Sequence, residues 1–166
     1  DGKHLAFNSG VDIFDSVNGS LFIVSVPNNK AFTDLRNYSK DFRGSVTAVD
    51  WKDKNTVLFA AEEGVDIVLS EQKIDADERT ILIKPEEVVF RNFSHVNGTI
   101  ILSGNTKDHP SELFTFDIES KELKKHTDSN PWLADIKLSK QVKHVFDARD
   151  GLDIEGVLLY PLNYSQ

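Results

Sequence analysis

The sequence predicts an all-β protein in the form of a partial β-propeller, with about three four-stranded blades and a terminal β-hairpin. Short apolar runs with strand-like alternation are separated by turns rich in Gly, Asn and Asp. Corresponding positions recur at spacings of roughly 43 to 52 residues, which is typical of propeller blades. No segment longer than a turn or two has helical periodicity. Since closed propellers have about four to eight blades, three blades predict an incomplete ring.

The blades are predicted over 1–41, 42–85 and 86–130. In each blade a short apolar run is followed by an alternating strand and then by a short polar segment. The apolar runs are 5–7, 57–60 and 100–102, the alternating strands are 21–26, 65–69 and 112–117, and the polar segments are 33–36, 79–83 and 124–127. The first blade lacks its opening strand, because Asp1-Gly2-Lys3 already forms the turn before its first run.

The last part of the chain, 131–166, is predicted to leave the blades, which occupy 1–130. Two strand-like runs meet at Asp150-Gly151. Asp-Gly between alternating apolar positions is a strong hairpin signal, because both residues tolerate the positive φ of a type I′ turn. We therefore expect a linker followed by a β-hairpin.

Composition excludes several classes of function. The chain has 166 residues, of which 39% are apolar and 28% charged, as in a soluble globular domain. A net charge of −8 argues against a nucleic-acid partner, since neutralising phosphates requires a basic face. No apolar run approaches the ~20 residues that a membrane span needs. The absence of cysteine excludes disulfides and cysteine-based metal sites. A chain that starts Asp-Gly-Lys without Met is expected to be processed or excised.

Five Asn-X-Ser/Thr triplets begin at Asn18, Asn37, Asn92, Asn97 and Asn163. They are compatible with a glycosylated secretory protein. They are equally compatible with an Asn-rich sequence in which these residues form turns and are not glycosylated. The sequence leaves both interpretations open.

The candidate site residues do not form a recognisable site. The five histidines show no metal-ligand spacing, and we interpret them as surface or turn residues; they are His4, His95, His109, His126 and His144. Asp75, Asp77 and Glu78 lie in a predicted loop but lack the ligand spacing and central Gly of an EF-hand. We predict no metal and no cofactor. Trp51 and Trp132 are expected to pack in the core or against strands.

Several motifs resemble the prolyl oligopeptidase family of serine peptidases. Asp1-Gly2-Lys3-His4-Leu5-Ala6-Phe7 resembles the end of the repeated Ser-Pro-Asp-Gly-Lys-x-Ile-Ala-Phe unit, which also occurs in the Tol-system periplasmic propeller. Trp51 to Phe59 is similar to the same unit, with Lys-Asp-Lys-Asn at the turn. Pro110-Ser111-Glu112-Leu113-Phe114, followed by Thr127-Asp128-Ser129-Asn130, resembles the last blade. The segments 146–151 and 154–161 resemble the first strands of the α/β-hydrolase domain.

This resemblance implies a propeller that limits access to the active site to short peptides, joined to a catalytic hydrolase domain. The family's nucleophile lies on a Gly-x-Ser-x-Gly elbow, and neither Gly44-Ser45 nor Ser103-Gly104 has that pattern. We therefore predict no catalytic residue in this chain, no activity of the isolated chain, and unknown substrate-binding residues. Glu62-Glu63 is similar to the paired glutamates of dipeptidyl-peptidase relatives but ends a plain strand. The expected partners are the chain's own hydrolase domain and short peptide substrates.

Two classes of function remain open. The chain is either the closing portion of the propeller of a periplasmic or secreted serine peptidase, or part of a protein-binding propeller of the Tol-system type without enzymatic activity. A cytoplasmic location is the alternative to export. The segment 150–161 distinguishes the two classes, because a propeller that only binds proteins has no need of it. Unpaired strand edges also make self-association through those edges an expectation.

Overall fold

The computed structural model describes residues 2–13, 18–26, 35–40 and 42–164. These residues form four antiparallel sheets and no α-helix, with one short 3-10 helix, Pro131–Asp135. The predicted all-β class and partial propeller are confirmed. Asp1, Thr33, Asp41, Ser165 and Gln166, which belong to predicted segments, lie outside the described residues.

In the described residues the first blade has three strands. They pair in the order β1-β2-β3. Their bounds are β1, His4–Ser9, β2, Ser20–Ser25, and β3, Arg36–Asn37. In β2 the side chains of Leu21 and Ile23 are buried, and they point toward the second blade.

The second and third blades are four-stranded meanders in which neighbouring strands in sequence are neighbours in the sheet. The second contains β4, Ser45–Asp53, β5, Thr56–Glu63, β6, Asp66–Lys73, and β7, Arg79–Ile83. The third contains β8, Val89–Val96, β9, Thr99–Asn105, β10, Glu112–Asp117, and β11, Leu123–Lys125. Asn97 and Gly98, with φ of 48° and 82°, form the turn between β8 and β9.

The second blade is buried on both faces because it lies between the other two. One face, including Val57, Phe59 and Ala61, shares a core with Leu21 and Ile23 of the first blade. The opposite face shares a second core with the third blade; it joins Leu58, Ala60 and Leu69 to Phe90, Leu102 and Phe114. Six consecutive residues of β5, 56–61, are therefore buried. Stacking against neighbours is what allows a small blade to bury both of its faces.

The predicted hairpin is formed by β12, Gln141–Asp147, and β13, Asp153–Leu159. Its connection differs from the predicted type I′ turn. The amide of Gly151 donates to the carbonyl of Ala148 at 2.9 Å, and that of Ala148 donates to Leu152 at 2.8 Å. Gly151 has φ of 82°, whereas Asp150 is not in the positive-φ region. A wider loop that needs only one left-handed residue thus replaces the two-residue turn.

Candidate functional site at the hairpin junction

The hairpin contacts the second and third blades where each carries the connection between its two middle strands. In the second blade this connection is Gly64-Val65, between β5 and β6. In the third it is the longer loop between β9 and β10, where Gln141 Nε2 donates to the carbonyl of Lys107 at 3.4 Å. Because alternate turns of a meander lie at the same end, the hairpin covers one end of the blades. We call this contact region the hairpin junction.

Lys143, on β12, is at the centre of the hairpin junction. Its Nζ lies 3.1 Å from Oδ2 of Asp66, the first residue of β6, and 2.8 Å from Oε2 of Glu155 on β13. Lys143 pairs in register with Val157, and Glu155 pairs with Val145, so the two charged residues are diagonal neighbours on one face of the hairpin. That face therefore presents an ammonium group to a carboxylate of the second blade.

Asp66 is the buried member of this cluster, with 6% of its surface exposed. Its Oδ1 accepts a hydrogen bond from the amide of Glu86 at 3.1 Å, and its Oδ2 faces Lys143. Glu86 lies in the crossover between the second and third blades and has φ of 69°. One carboxylate thus joins the turn of the second blade, the crossover and the hairpin. A buried carboxylate requires partners of this kind, because desolvation without them is costly.

Gly64 provides the space for Glu155. It has φ of 64°, a conformation that favours glycine. A Cβ at this position would clash with Oε2 of Glu155. The same oxygen accepts a hydrogen bond from the amide of Val65 at 3.4 Å. The turn of the second blade is therefore shaped to receive the side chain of Glu155.

The charges at the junction stabilise one another. Hydrogen bonds to Glu155 and then to Asp66 raise the pKa of Lys143 above its ordinary value. The hydrogen bond from Lys143 lowers the pKa of Glu155, and the amide of Val65 acts in the same direction. Lys143 and Glu155 therefore both hold their charges at neutral pH, and their ion pair can attach one element to another.

A cavity of about 240 Å³ lies beside this cluster, between the hairpin and the two blades. Its walls include Val65, Val88 and Thr106 from the blades and Val142 and Val157 from the hairpin. Val88 is buried, whereas Val157 is 48% exposed. The hairpin therefore touches the blades through polar groups and leaves space between the apolar ones.

Much of the apolar surface of the hairpin is uncovered. None of its residues in β12 or β13 is buried. The exposed apolar residues of these strands are Val145, Phe146, Ile154, Val157, Leu158 and Leu159. Phe146, Ile154 and Leu158 share one face, opposite to the face that carries Lys143 and Glu155. Such a patch on a short hairpin is typical of a surface that packs against another element.

Glu112 explains why the two parts of the last-blade motif occur together. Its carboxylate is buried and accepts hydrogen bonds from the hydroxyl of Thr127 and from the amide and hydroxyl of Ser129, the latter two at 2.7 and 3.0 Å. The hydrogen bond from Thr127, followed by that from the Ser129 amide, lowers the pKa of Glu112. The motif is thus a structural unit that fixes the chain as it leaves the third blade.

The five histidines lie apart in separate local contacts. His95 accepts from the amide of Gly98 at 3.1 Å, and its other ring nitrogen lies 3.3 Å from the carbonyl of Trp51. The remaining histidines contact aromatic rings, a hydroxyl or a carbonyl: His4 with Trp51, His109 with Phe114 and the Pro110 carbonyl, His126 with Thr115, and His144 with Phe146. Among the described residues, no group of three or more His, Asp or Glu side chains is placed to hold a metal ion.

The acidic candidates are not brought together. Asp77 pairs with Arg36, and Glu63 accepts two hydrogen bonds from Arg79 at 2.5 and 2.8 Å. Glu62 and Glu63 are successive residues of β5, so their side chains point to opposite faces. The two carboxylates are therefore apart, and Glu63 is already paired with Arg79. They do not form a glutamate pair that could bind the amino terminus of a substrate.

The two tryptophans differ. Trp51 is half-buried and packs against the core between the first and second blades, as predicted. Trp132 is 60% exposed, so the prediction that it packs in the core or against strands is wrong. It lies in the short 3-10 helix Pro131–Asp135, which contains no buried residue.

Neither Gly44-Ser45 nor Ser103-Gly104 lies at a strand-to-helix elbow, since Ser45 begins β4 and Ser103 and Gly104 lie within β9.

The Asn-X-Ser/Thr triplets lie in different environments. Asn18, Asn92, Asn97 and Asn163 are exposed, whereas Asn37 is half-buried and its Oδ1 accepts from the amide of Ser39 at 2.9 Å. Asn97 has the positive φ of a turn residue. The structure is therefore compatible with both interpretations of the triplets.

The residues of the hairpin junction were not singled out from the sequence. The signal that the sequence offered is that Lys143 and Glu155 are charged residues within two strand-like runs that are otherwise rich in apolar residues. Asp66 appeared only as a polar position within a strand. Its buried position depends on the placement of the hairpin, which periodicity does not give.

Comparison with known proteins identifies the fold. No protein-family model and no curated protein matches the sequence. Among solved structures, the AtxE2 isopeptidase, as its S527A variant with Astexin3-dC4 bound, matches over 99% of this chain at 18% identity with a TM-score of 0.75. The acylaminoacyl peptidase of Pyrococcus horikoshii matches over 97% at 18% identity with a TM-score of 0.72.

The chain has the fold of part of these peptidases. It spans about a quarter of their length, 25% of the isopeptidase and 24% of the acylaminoacyl peptidase. Both neighbours belong to the prolyl oligopeptidase family, which is the family that the sequence motifs resemble. The match includes the blades and the hairpin, because it extends over almost the entire chain.

In the described part of the chain, no helix is long and apolar enough to cross a bilayer.

Proposed function

We propose that this chain is the closing portion of the propeller, together with the first strands of the catalytic domain, of a prolyl oligopeptidase family serine peptidase. The single observation that carries the proposal is the order of elements. Propeller blades are followed by a hairpin that returns to their end, and this order is shared with two peptidases over at least 97% of the chain. The proposed domain division is blades over 1–130 and linker plus first hydrolase strands over 131–166.

The proposed role of this portion is to gate access to an active site that lies outside it. The exposed apolar face of the hairpin supports this role, because Phe146, Ile154 and Leu158 require a covering element, and a hydrolase domain that continues the hairpin would supply it. The blades would then cover the active site of that domain and admit short peptides. Under this proposal the chain supports catalysis by positioning the catalytic domain on the propeller.

The test compares the 166-residue chain with the full-length protein that contains it. We expect the full-length protein to hydrolyse a chromogenic short-peptide or ester substrate and to be blocked by a serine-reactive phosphonate. The isolated chain should give no turnover above buffer. Turnover by the isolated chain that the phosphonate abolishes would overturn the placement of catalysis elsewhere. A full-length protein without hydrolase activity would overturn the proposal itself and favour a protein-binding propeller of the Tol-system type.

Gating is tested by substrate size. We expect the full-length protein to cleave tripeptides and pentapeptides and to leave a denatured protein of more than about 100 residues uncut. Equal rates per susceptible bond for all three substrates would contradict gating, even if the serine-peptidase assignment held.

Export to a periplasm or to the outside of the cell is a further part of the proposal, and fractionation of cells that express the full gene would test it.

A further inference from the structure

The attachment of the hairpin to the blades depends on few contacts, most of them polar. No residue of β12 or β13 is buried. Among the described residues, the ion pair and hydrogen bonds that join it to the blades are the pair Lys143–Asp66, the hydrogen bond from Val65 to Glu155, and the hydrogen bond from Gln141 to Lys107. By contrast, the blades are joined to one another by two apolar cores. The hairpin junction is therefore easier to open than the seams between blades.

Lys143 is the cation that two carboxylates share at this attachment. Its side chain is 29% exposed, that of Glu155 is 31% exposed and that of Asp66 is 7% exposed. Dissolved ions reach the outer pair and screen it, whereas removal of Lys143 would leave Asp66 buried without its counter-ion. The contact is thus both sensitive to salt and dependent on one side chain.

We propose that Asp66, Lys143 and Glu155 form an electrostatic latch that holds the hairpin against the second blade and sets how often the hairpin moves away from the propeller. The consequence for substrate entry rests on the proposed function, since the hairpin would lead into the catalytic domain. Release of the latch would separate that domain from the end of the blades and widen the path for larger peptides.

The first experiment measures a distance. This chain contains no cysteine, so spin labels can be placed at Arg149→Cys in the exposed hairpin loop and at Glu122→Cys on the third blade. They are introduced into the full-length protein, with any cysteine outside this chain replaced. The variant Lys143→Met is compared with Lys137→Met, a lysine of the same exit segment that is exposed and makes no ion pair among the described residues.

We expect Lys143→Met to raise the fraction of long distances about fivefold, the size of effect that a partly exposed ion pair produces. Lys137→Met should match the wild type. In wild type, 1 M NaCl should shift the distribution in the same direction, with no further shift in Lys143→Met. Glu155→Gln, which keeps an acceptor for Val65 but removes the charge, should give an intermediate fraction. Identical distributions for Lys143→Met and Lys137→Met would overturn the latch.

A pair of glycines provides a second test that leaves the charges unchanged. Gly64 and Gly98 both lie in turns with positive φ, 64° and 82°, so Gly→Ala strains the backbone at both. Only at Gly64 does the new Cβ meet Glu155; at Gly98 it meets nothing within 4 Å. We expect Gly64→Ala to increase the long-distance fraction and Gly98→Ala to leave it unchanged. An equal effect of the two substitutions would contradict the latch.

The distance measurement is independent of catalysis, so the two proposals fail separately. A shift in distance without any peptidase activity would support the latch and refute the proposed function. Peptidase activity with no shift in distance would refute the latch alone. If both proposals hold, Lys143→Met should raise the rate for a 15-residue peptide relative to a tripeptide about fivefold, in proportion to the open fraction.

Discussion

At the scale of single residues, the most informative side chains are carboxylates that accept several hydrogen bonds. Glu112 holds the exit of the third blade through Thr127 and Ser129, and Glu155 holds the hairpin through Lys143 and Val65. The sequence predicted the strand that contains Glu112, and the resemblance drew attention to the motif. The contacts of Glu112 with Thr127 and of Glu155 with Val65 became visible only in the structure, because these partners are 15 and 90 residues away.

Glu112→Gln should lower the melting temperature and weaken the acid sensitivity of the protein. The pKa of Glu112 is lowered in the fold, so its contribution to stability is present above its ordinary value of 4.5 and is lost as the pH falls through the folded value. Thermal unfolding at pH 7 and at pH 3.5 measures the difference. Glu119→Gln, at an exposed turn of the same blade, is the control. A loss of stability at pH 7 no larger than that of the control would contradict the role of Glu112.

The hairpin junction should have its own pH window. The pKa of Lys143 is raised above 10.5, so its contribution is complete below that pH and is lost as the pH rises through the folded value. The pKa of Glu155 is lowered below 4.5, so its contribution is lost as the pH falls through the folded value. Hydrogen exchange of the β12 and β13 amides should therefore be best protected, after correction for intrinsic rates, between those limits. A flat profile from pH 4 to pH 11 would contradict this account.

At the scale of elements, the blades owe their stability to the two cores on either side of the second blade. Phe59 is 1% exposed and belongs to the core shared with the first blade. Phe59→Ala should lower the free energy of unfolding by about 3–5 kcal/mol, because it removes a large buried side chain and leaves a cavity. Leu113→Ala, at a position that is 43% exposed on β10, should cost much less. Urea unfolding measures both, and equal costs would contradict the assignment of the core.

The elements themselves could largely be predicted from the sequence. Period-two alternation and turn residues located three segments in each blade, which overlap β1 to β3, β5 to β7 and β9 to β11, whereas β4 and β8 were not assigned to residues. The Asp150-Gly151 loop was located correctly, but the predicted type I′ turn is wrong. A wider loop connects the same two strands and needs only one residue with positive φ. The exposure of Trp132 was not predicted, since a large aromatic residue gives no sign of where its covering partner lies.

At the scale of the whole molecule, the exposed apolar face of the hairpin should make the isolated 166-residue chain self-associate. Phe146 and Leu158 are 48% and 43% exposed on the same face. Sedimentation of the isolated chain should show a weight-average mass that rises with concentration, because apolar patches and strand edges attract copies of the same chain. The double variant Phe146→Glu and Leu158→Glu should reduce this rise, whereas Glu substitutions at Lys121 and Lys137 should not. Equal association of both double variants would contradict the role of this face.

Local periodicity and turn chemistry were enough to predict the all-β class, the number and order of the blades and the position of the hairpin. The sequence also showed that the chain lacks the Gly-x-Ser-x-Gly elbow of the family that it resembles. What each blade packs against and how the hairpin is attached depend on contacts between residues far apart in the sequence, and these contacts became known from the folded structure. Asp66 and Lys143 are 77 residues apart in sequence, and their contact arises from the packing of one sheet against another. Such a contact depends on the return of the chain to the end of the blades, which no local pattern encodes.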